Sequence, residues 1–231
     1  MLPGVVVGTR FEVESVAAVG GMGTVYRARD RADGQRVALK LMRGSELDRF
    51  VSEAEVLASL RHPHIVRYVA HGEAGPGELF IAMEWIDGED LAARLRRAPL
   101  SIRESVIVAR TVAAALAVAH ARGVVHRDLK PSNLLIPDGD VGALKLVDFG
   151  VAYLDDARGG VVTRTGAILG TPSYMAPEQA RGQHPLSPRA DVFSLGAVLF
   201  EAIAGQPYLP ERPTYEQTIM QLVSTPAPRL S

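Results

Sequence analysis

The chain has 231 residues, 47% of them apolar and 22% charged, with a formal net charge of −1 and no cysteine. That length and mixture suit one large domain or two small lobes around a real core. The balanced charge predicts no nucleic-acid partner, and the missing cysteines exclude disulfides and thiolate metal sites, which fits a cytoplasmic protein.

The opening stretch, MLPGVVVGTRF, has no basic segment ahead of a long apolar run, so no signal peptide is predicted. Residues 10–19 and 24–30 read as strands around a glycine cluster, VGGMGTV (19–25). A third strand, 35–42, follows the turn signal ADG. Residues 45–61 have helical periodicity and a candidate capping box, Ser45 with Asp48. HIVRYVAHGE (64–73) and ELFIAMEWI (78–86) read as two more strands, separated by AGPG. The character changes after Gly88. An alanine-rich helix is expected over about 101–122, and Arg110 and His120 interrupt its apolar run, so no membrane span is predicted. HRDLKPSN (126–133) follows, then short strands NLLI and LKLVDF, a Gly/Thr-rich loop over 155–173, and helices over 190–205 and 215–223. Strands first and helices later predict two packed lobes with an open cleft near 84–90, and such clefts bind small ligands.

Several groups along this path carry chemistry. Gly20, Gly21 and Gly23 either let backbone N–H groups approach a phosphate or simply form a hairpin turn. In the strand 35–42, Val37, Leu39 and Leu41 make a core face, so Lys40 projects from the opposite face beside Ala38. Glu53 shares a helical stripe with Phe50, Leu57 and Leu60. An acid there either pairs, with Lys40 the obvious candidate, or sits at the wet edge of the stripe. In HRDLKPSN and DFG (148–150), Asn133 and Asp148 are hard oxygen ligands suited to magnesium. That leaves Asp128 to accept a proton and Lys130 to neutralise phosphate charge. Taken singly, each is better read structurally, Asp128 as the cap of its turn and Asp148 as a loop acid that ends a strand.

The ordered series GGMGTVY, VALK, Glu53, HPHIV, MEWIDG, HRDLKPSN, DFG, GTPSYMAPE and DVFSLG resembles the eukaryotic-like (Hanks-type) serine/threonine protein kinases of bacteria over about residues 9–225. The resemblance implies an α+β, bilobal protein-kinase-like fold. Residues 1–87 would form an N-lobe with hinge, an antiparallel five-stranded sheet plus one helix. Residues 88–231 would form a mainly helical C-lobe that looks truncated. It also implies an enzyme that transfers the γ-phosphoryl of ATP, with Mg2+ or Mn2+, to Ser/Thr hydroxyls of proteins. Gly20, Gly21 and Gly23 would cover the phosphates, and Lys40 would contact them while paired with Glu53. Met83 would be the gatekeeper, the backbones of Glu84 and Ile86 would bind adenine, and Val25, Ala38 and Leu135 would sandwich it. Asp90 would meet the ribose. Asp128 would be the base, Lys130 would stabilise the moving phosphoryl group, and Asn133 and Asp148 would hold the metal. Arg127 would pair with a phosphate on Thr163 or Thr165, added by self-association and trans-autophosphorylation, and Thr171 would bond Asp128 and Lys130.

The chain departs from the family pattern in two places. Ala18 replaces the first loop glycine, and it relaxes less freely into positive φ, so altered nucleotide affinity is expected. The chain ends at TPAPRLS, without the later family helices and the arginine that would pair with Glu178. An inactive nucleotide-binding scaffold is the alternative function at this point, and a small-molecule phosphotransferase a third.

Overall fold

The structure, a computed structural model, describes residues 1–20, 23–43, 47–149, 172–183, 185–210 and 214–224; the side chains of 43, 47–49 and 53 lie outside the description. The expectations for Gly21, Ser45, Thr163, Thr165 and Thr171, and for the Glu53 side chain, therefore fall outside the described residues. The chain divides into two compact units. The first holds Met1–Arg61 and Val66–Ile86; the second holds His62–Ile65, residues 87–149 and the described residues from 172 onward.

The first unit is an antiparallel sheet of six strands in the order β1-β2-β3-β4-β6-β5, with one helix. Its strands are β1 (Val6–Val7), β2 (Phe11–Gly20), β3 (Gly23–Asp30), β4 (Arg36–Arg43), β5 (Tyr68–Gly75) and β6 (Glu78–Glu84); α1 is Leu47–Ser59. Five long strands and the helix lie where the apolar alternation places them, and the two-residue β1 adds an edge partner for β2. Strand β5 begins four residues later than its apolar run. The reason is local: Leu146 N–H donates to the His64 carbonyl (2.8 Å), and Ile65 forms a parallel bridge with Leu146, so these residues are committed elsewhere. Val37, Leu39 and Leu41 pack with Val13, Tyr26, Ala28 and Phe80 in one core cluster. On the other face, Phe50 of α1 packs with Met42, Leu79 and Ile81, and Met83 and Leu57 lean on that cluster.

Gly23 has φ +131°, and a Cβ there would lie 2.1 Å from the Leu41 carbonyl oxygen. Close approach of β3 to β4 is therefore enough to require glycine at that position. Ala18 pairs with Val25 in extended β2 and has no positive φ. The missing glycine thus adds no backbone strain in this conformation.

At the far end of the β2–β3 pair, Asp30 is 1% exposed, and Arg10 bonds it twice, Nε to Oδ1 (2.8 Å) and Nη2 to Oδ2 (2.6 Å). The Arg10 hydrogen bond holds the Asp30 carboxyl below the usual range; burial opposes this, and the Ala32 N–H and the Arg10 charge add to it. A depressed carboxylate contributes stability above its unfolded pKa and loses it as pH falls through the folded value. Arg10 is 40% exposed, so solvent screening limits the pair. Arg10→Gln is expected to cost about 2 kcal/mol at neutral pH. In urea melts the gap to the parent protein should close below about pH 4; a gap independent of pH would contradict the assignment.

The second unit is mainly helical. Its elements are β7 (Gly88–Asp90), α2 (Leu91–Leu95), α3 (Ile102–His120), β8 (Leu134–Pro137), β9 (Lys145–Leu146), α4 (Pro177–Ala180), α5 (Arg189–Ala204) and α6 (Tyr215–Ser224). Ser101 and Glu104 form a complete capping box that starts α3. Val108, Thr111, Val112, Ala115, Leu116 and Ala119 give α3 one buried face. Strands β7, β8 and β9 make a small antiparallel sheet. Buried Met175, Leu209 and Leu222 form a separate core with Phe193 and Tyr208, where burial pushes the Tyr208 hydroxyl up to about 12. Among the described residues no helix is long and apolar enough to cross a membrane.

Candidate active site

The polar loop 126–133 lies between α3 and β8, and side chains from other elements of the second unit fix its backbone. His126 is fully buried. Its Nδ1 accepts from the Asp128 N–H (3.3 Å), so its Nε2 carries the proton donated to the Val147 carbonyl (2.9 Å). The ring also packs against Phe149, with centroids 4.8 Å apart. Asp191, 0% exposed at the start of α5, takes three donors: the His126 N–H (2.8 Å) and His120 Nε2 (2.7 Å) on Oδ2, and the Arg127 N–H (2.9 Å) on Oδ1. Arg127 sits at φ +67°, a conformation unfavourable for a side chain that lacks glycine's freedom. The Arg127 carbonyl accepts from Gln179 Nε2 at 2.8 Å.

These anchors present Asp128. Its Oδ2 accepts from Lys130 Nζ (2.8 Å) and from Asn133 Nδ2 (3.2 Å), and Asn133 Nδ2 also bonds the Asp128 carbonyl (2.7 Å). Among the described residues, none donates to Oδ1, which leaves that oxygen open to a proton. With its amide N–H2 used in this way, Asn133 can offer only its carbonyl oxygen to an ion. The Val147 N–H donates to the Asn133 backbone carbonyl (3.0 Å), and Asp148 follows directly, turned aside at φ +59°. Asn133 and Asp148 therefore leave adjacent chain segments. No group of three His, Asp or Glu suited to a metal occurs among the described residues. Two hard oxygens completed by phosphate are the donor set magnesium commonly uses, so these residues fit that ion.

The other predicted residues are placed as follows. Lys40, on β4 of the first unit, is 8% exposed and lies on the face opposite Val37, Leu39 and Leu41. Val25 pairs with Lys40, and Ala38 pairs with Met83, in the sheet register. The Glu84 N–H donates to the Arg67 carbonyl (2.9 Å), so what its backbone can offer a base is an acceptor. Ile86 is half-buried at the end of this unit. In the second unit, Asp90 Oδ1 accepts the Ala93 N–H (2.6 Å) and caps α2, a structural task that spacing did not reveal. Leu135 pairs with Asp90 across β7 and β8. The structure thus brings together Asp128, Lys130 and Asn133 with Asp148 nearby, while Gly20, Gly23, Val25, Ala38, Lys40, Met83, Glu84 and Ile86 belong to the first unit.

Sequence reasoning gave no role to Asp191, His126, His120 or Gln179. The first had a usable signal: it is an acid inside the apolar run 190–205, the same anomaly that singled out Glu53.

The comparisons agree with this architecture. A protein kinase domain model matches residues 11–228, so the chain belongs to the protein kinase family. Serine/threonine-protein kinase PknA of Mycobacterium tuberculosis is 41% identical over 214 residues, 88% of this chain and 48% of that protein. Serine/threonine-protein kinase pkn3 of Myxococcus xanthus is 39% identical over 207 residues, 85% of this chain and 38% of that protein. The chain therefore spans half or less of the length of these relatives. The crystal structure of Rad53 1–466 in complex with AMP-PNP superposes with a TM-score of 0.76 at 27% identity, covering 93% of this chain and 53% of that one.

Proposed function

We propose that this chain is a serine/threonine protein kinase domain that transfers the γ-phosphoryl of Mg-ATP to hydroxyls of protein substrates. The observation that carries the reading is the Asp128 carboxylate, held by Lys130 and Asn133 through one oxygen while no described residue donates to the other, where a hydroxyl proton can be accepted. Its relatives are named as serine/threonine kinases, which supports the substrate class. In this reading residues 1–87 are the N-lobe with hinge and 88–231 the C-lobe. Lys40 binds the α- and β-phosphates, with Glu53 as its partner. Gly20, Gly21 and Gly23 cover the phosphates, and Val25, Ala38 and Leu135 flank adenine. Met83 gates that pocket, the Glu84 carbonyl and the Ile86 N–H read the adenine edge, and the second oxygen of Asp90 meets the ribose.

Asn133 and Asp148 would hold magnesium, which when bound neutralises phosphate charge. The protein's own share is positional and electrostatic. Asp128 orients the substrate hydroxyl and takes its proton at Oδ1, and Lys130 stands beside it to meet negative charge. Regulation belongs to Arg127 with phosphates on Thr163 or Thr165, added in trans by a second copy, and Thr171 contacts the base.

The test is incorporation of labelled γ-phosphate from Mg-ATP into the chain and into casein, with phosphosites mapped by mass spectrometry. The parent protein should incorporate phosphate at Thr163 or Thr165. Lys40→Met should lower incorporation about 100-fold or more. Absent incorporation by the parent, with nucleotide bound, would make the chain a non-enzymatic nucleotide binder.

A further inference from the structure

The two peptide groups flanking the Asp128 Cα are the levers that aim its side chain. Three polar atoms of these groups are bonded to side chains. The Arg127 carbonyl accepts from Gln179 Nε2 (2.8 Å), the Asp128 N–H donates to His126 Nδ1 (3.3 Å), and the Asp128 carbonyl accepts from Asn133 Nδ2 (2.7 Å). His126 and Asn133 belong to the loop itself. Gln179 comes from α4, 52 positions downstream, and is 6% exposed. It follows Pro172–Tyr174, a turn that packs on α5 and α6 and is tied to α5 by the Tyr174 hydroxyl bonding Glu201.

We propose that Gln179 is a positioning residue for phosphoryl transfer, and that its carboxamide sets the angle of the Arg127–Asp128 peptide plane. This assignment rests on the kinase reading given above. That peptide plane is gripped at both edges, by His126 on the N–H and Gln179 on the carbonyl, next to a residue held at φ +67°. An arginine at positive φ gains nothing from its own backbone preference, so outside bonds must hold it. Releasing the carbonyl lets the plane rotate about the Arg127 and Asp128 Cα atoms, and the rotation swings the carboxylate. A displacement of about 1 Å at a reacting group can cost on the order of 100-fold in rate. Nucleotide contacts come from other residues, so the loss should fall on kcat.

The experiment compares the parent protein with Gln179→Met and Gln179→Glu, using casein and Mg-ATP. Methionine keeps the length and apolar stem without a donor. Glutamate keeps the shape but turns an acceptor toward a carbonyl. Expected are kcat losses of about 10-fold for methionine and 100-fold for glutamate, a KM for ATP within about twofold of the parent, and folded variants with melting temperatures lowered by about 2–12 °C, the cost of one buried unpaired carbonyl. Three results would overturn the proposal: kcat within twofold of the parent in both variants, a KM for ATP rising in step with the fall in kcat, or unfolding of both variants, which would make the bond purely structural. An inactive parent would instead remove the kinase reading itself, so the two failures are distinguishable.

Discussion

Phosphate incorporation by the Asp128→Asn protein is expected to fall about 10²- to 10⁴-fold, the usual contribution of a general base, with nucleotide binding retained. The substitution changes one oxygen to an amide nitrogen and hardly alters volume. Two donors, Lys130 and Asn133, converge on Oδ2, so the asparagine carbonyl should turn toward them. Its N–H2 then occupies the place of Oδ1, where it donates instead of accepting. A substrate hydroxyl meets a second donor and has nowhere to pass its proton. The measurement is single-turnover transfer to casein beside equilibrium binding of a fluorescent ATP analogue. Transfer within tenfold of the parent would mean that Asp128 acts by orientation alone.

Asp191→Leu should produce the largest loss of stability. The carboxylate is fully buried and serves the His126 N–H, the Arg127 N–H and His120 Nε2. Leucine has the same branching, though it is bulkier, but accepts nothing, so all three donors lose their partner, the two backbone N–H groups in the interior and His120 half-buried. At about 1–3 kcal/mol for each buried unsatisfied group, the sum is on the order of 4 kcal/mol, allowing for local relaxation. For a chain of this size that is roughly 8–16 °C in melting temperature, against a typical total stability of about 5–15 kcal/mol. Asp191→Asn keeps one acceptor and should lie in between. Thermal melts followed by circular dichroism provide the check; a shift under about 3 °C for leucine would show that the loop holds itself.

The elements of this fold were legible in proportion to how local their causes are. Alternation along 35–42 predicted that Val37, Leu39 and Leu41 share a core and that Lys40 faces away, and the sheet has that arrangement. The helix at 102–120 announced itself through its alanine-rich apolar run, but the Ser101–Glu104 capping box that starts it went unnoticed in the sequence. The resemblance picked out Asp128, Lys130, Asn133 and Asp148, and the structure brings the first three into one hydrogen-bonded cluster with Asp148 next to it. Four roles escaped, and those of Asp191 and Gln179 did so because their causes are distant. Asp191 and Gln179 act on a loop more than fifty positions away, and no period or spacing encodes that. Asp90 looks like a ligand-contacting acid in sequence, yet it caps a five-residue helix that was not predicted. Gly23 resembles its neighbour Gly20, but only Gly23 stands against a facing carbonyl.

The hold that Asp191 has on residues 126 and 127 spans 64 and 65 positions. During synthesis the loop leaves the ribosome well before its clamp exists, and at about 5–20 residues per second the interval is several seconds. The β2–β3, β3–β4 and β5–β6 pairs of the first unit, whose partners lie close in sequence, can form in that time. The loop 126–133 cannot reach its observed shape until α5 has emerged and docked, so it settles later than the strand pairs of the first unit.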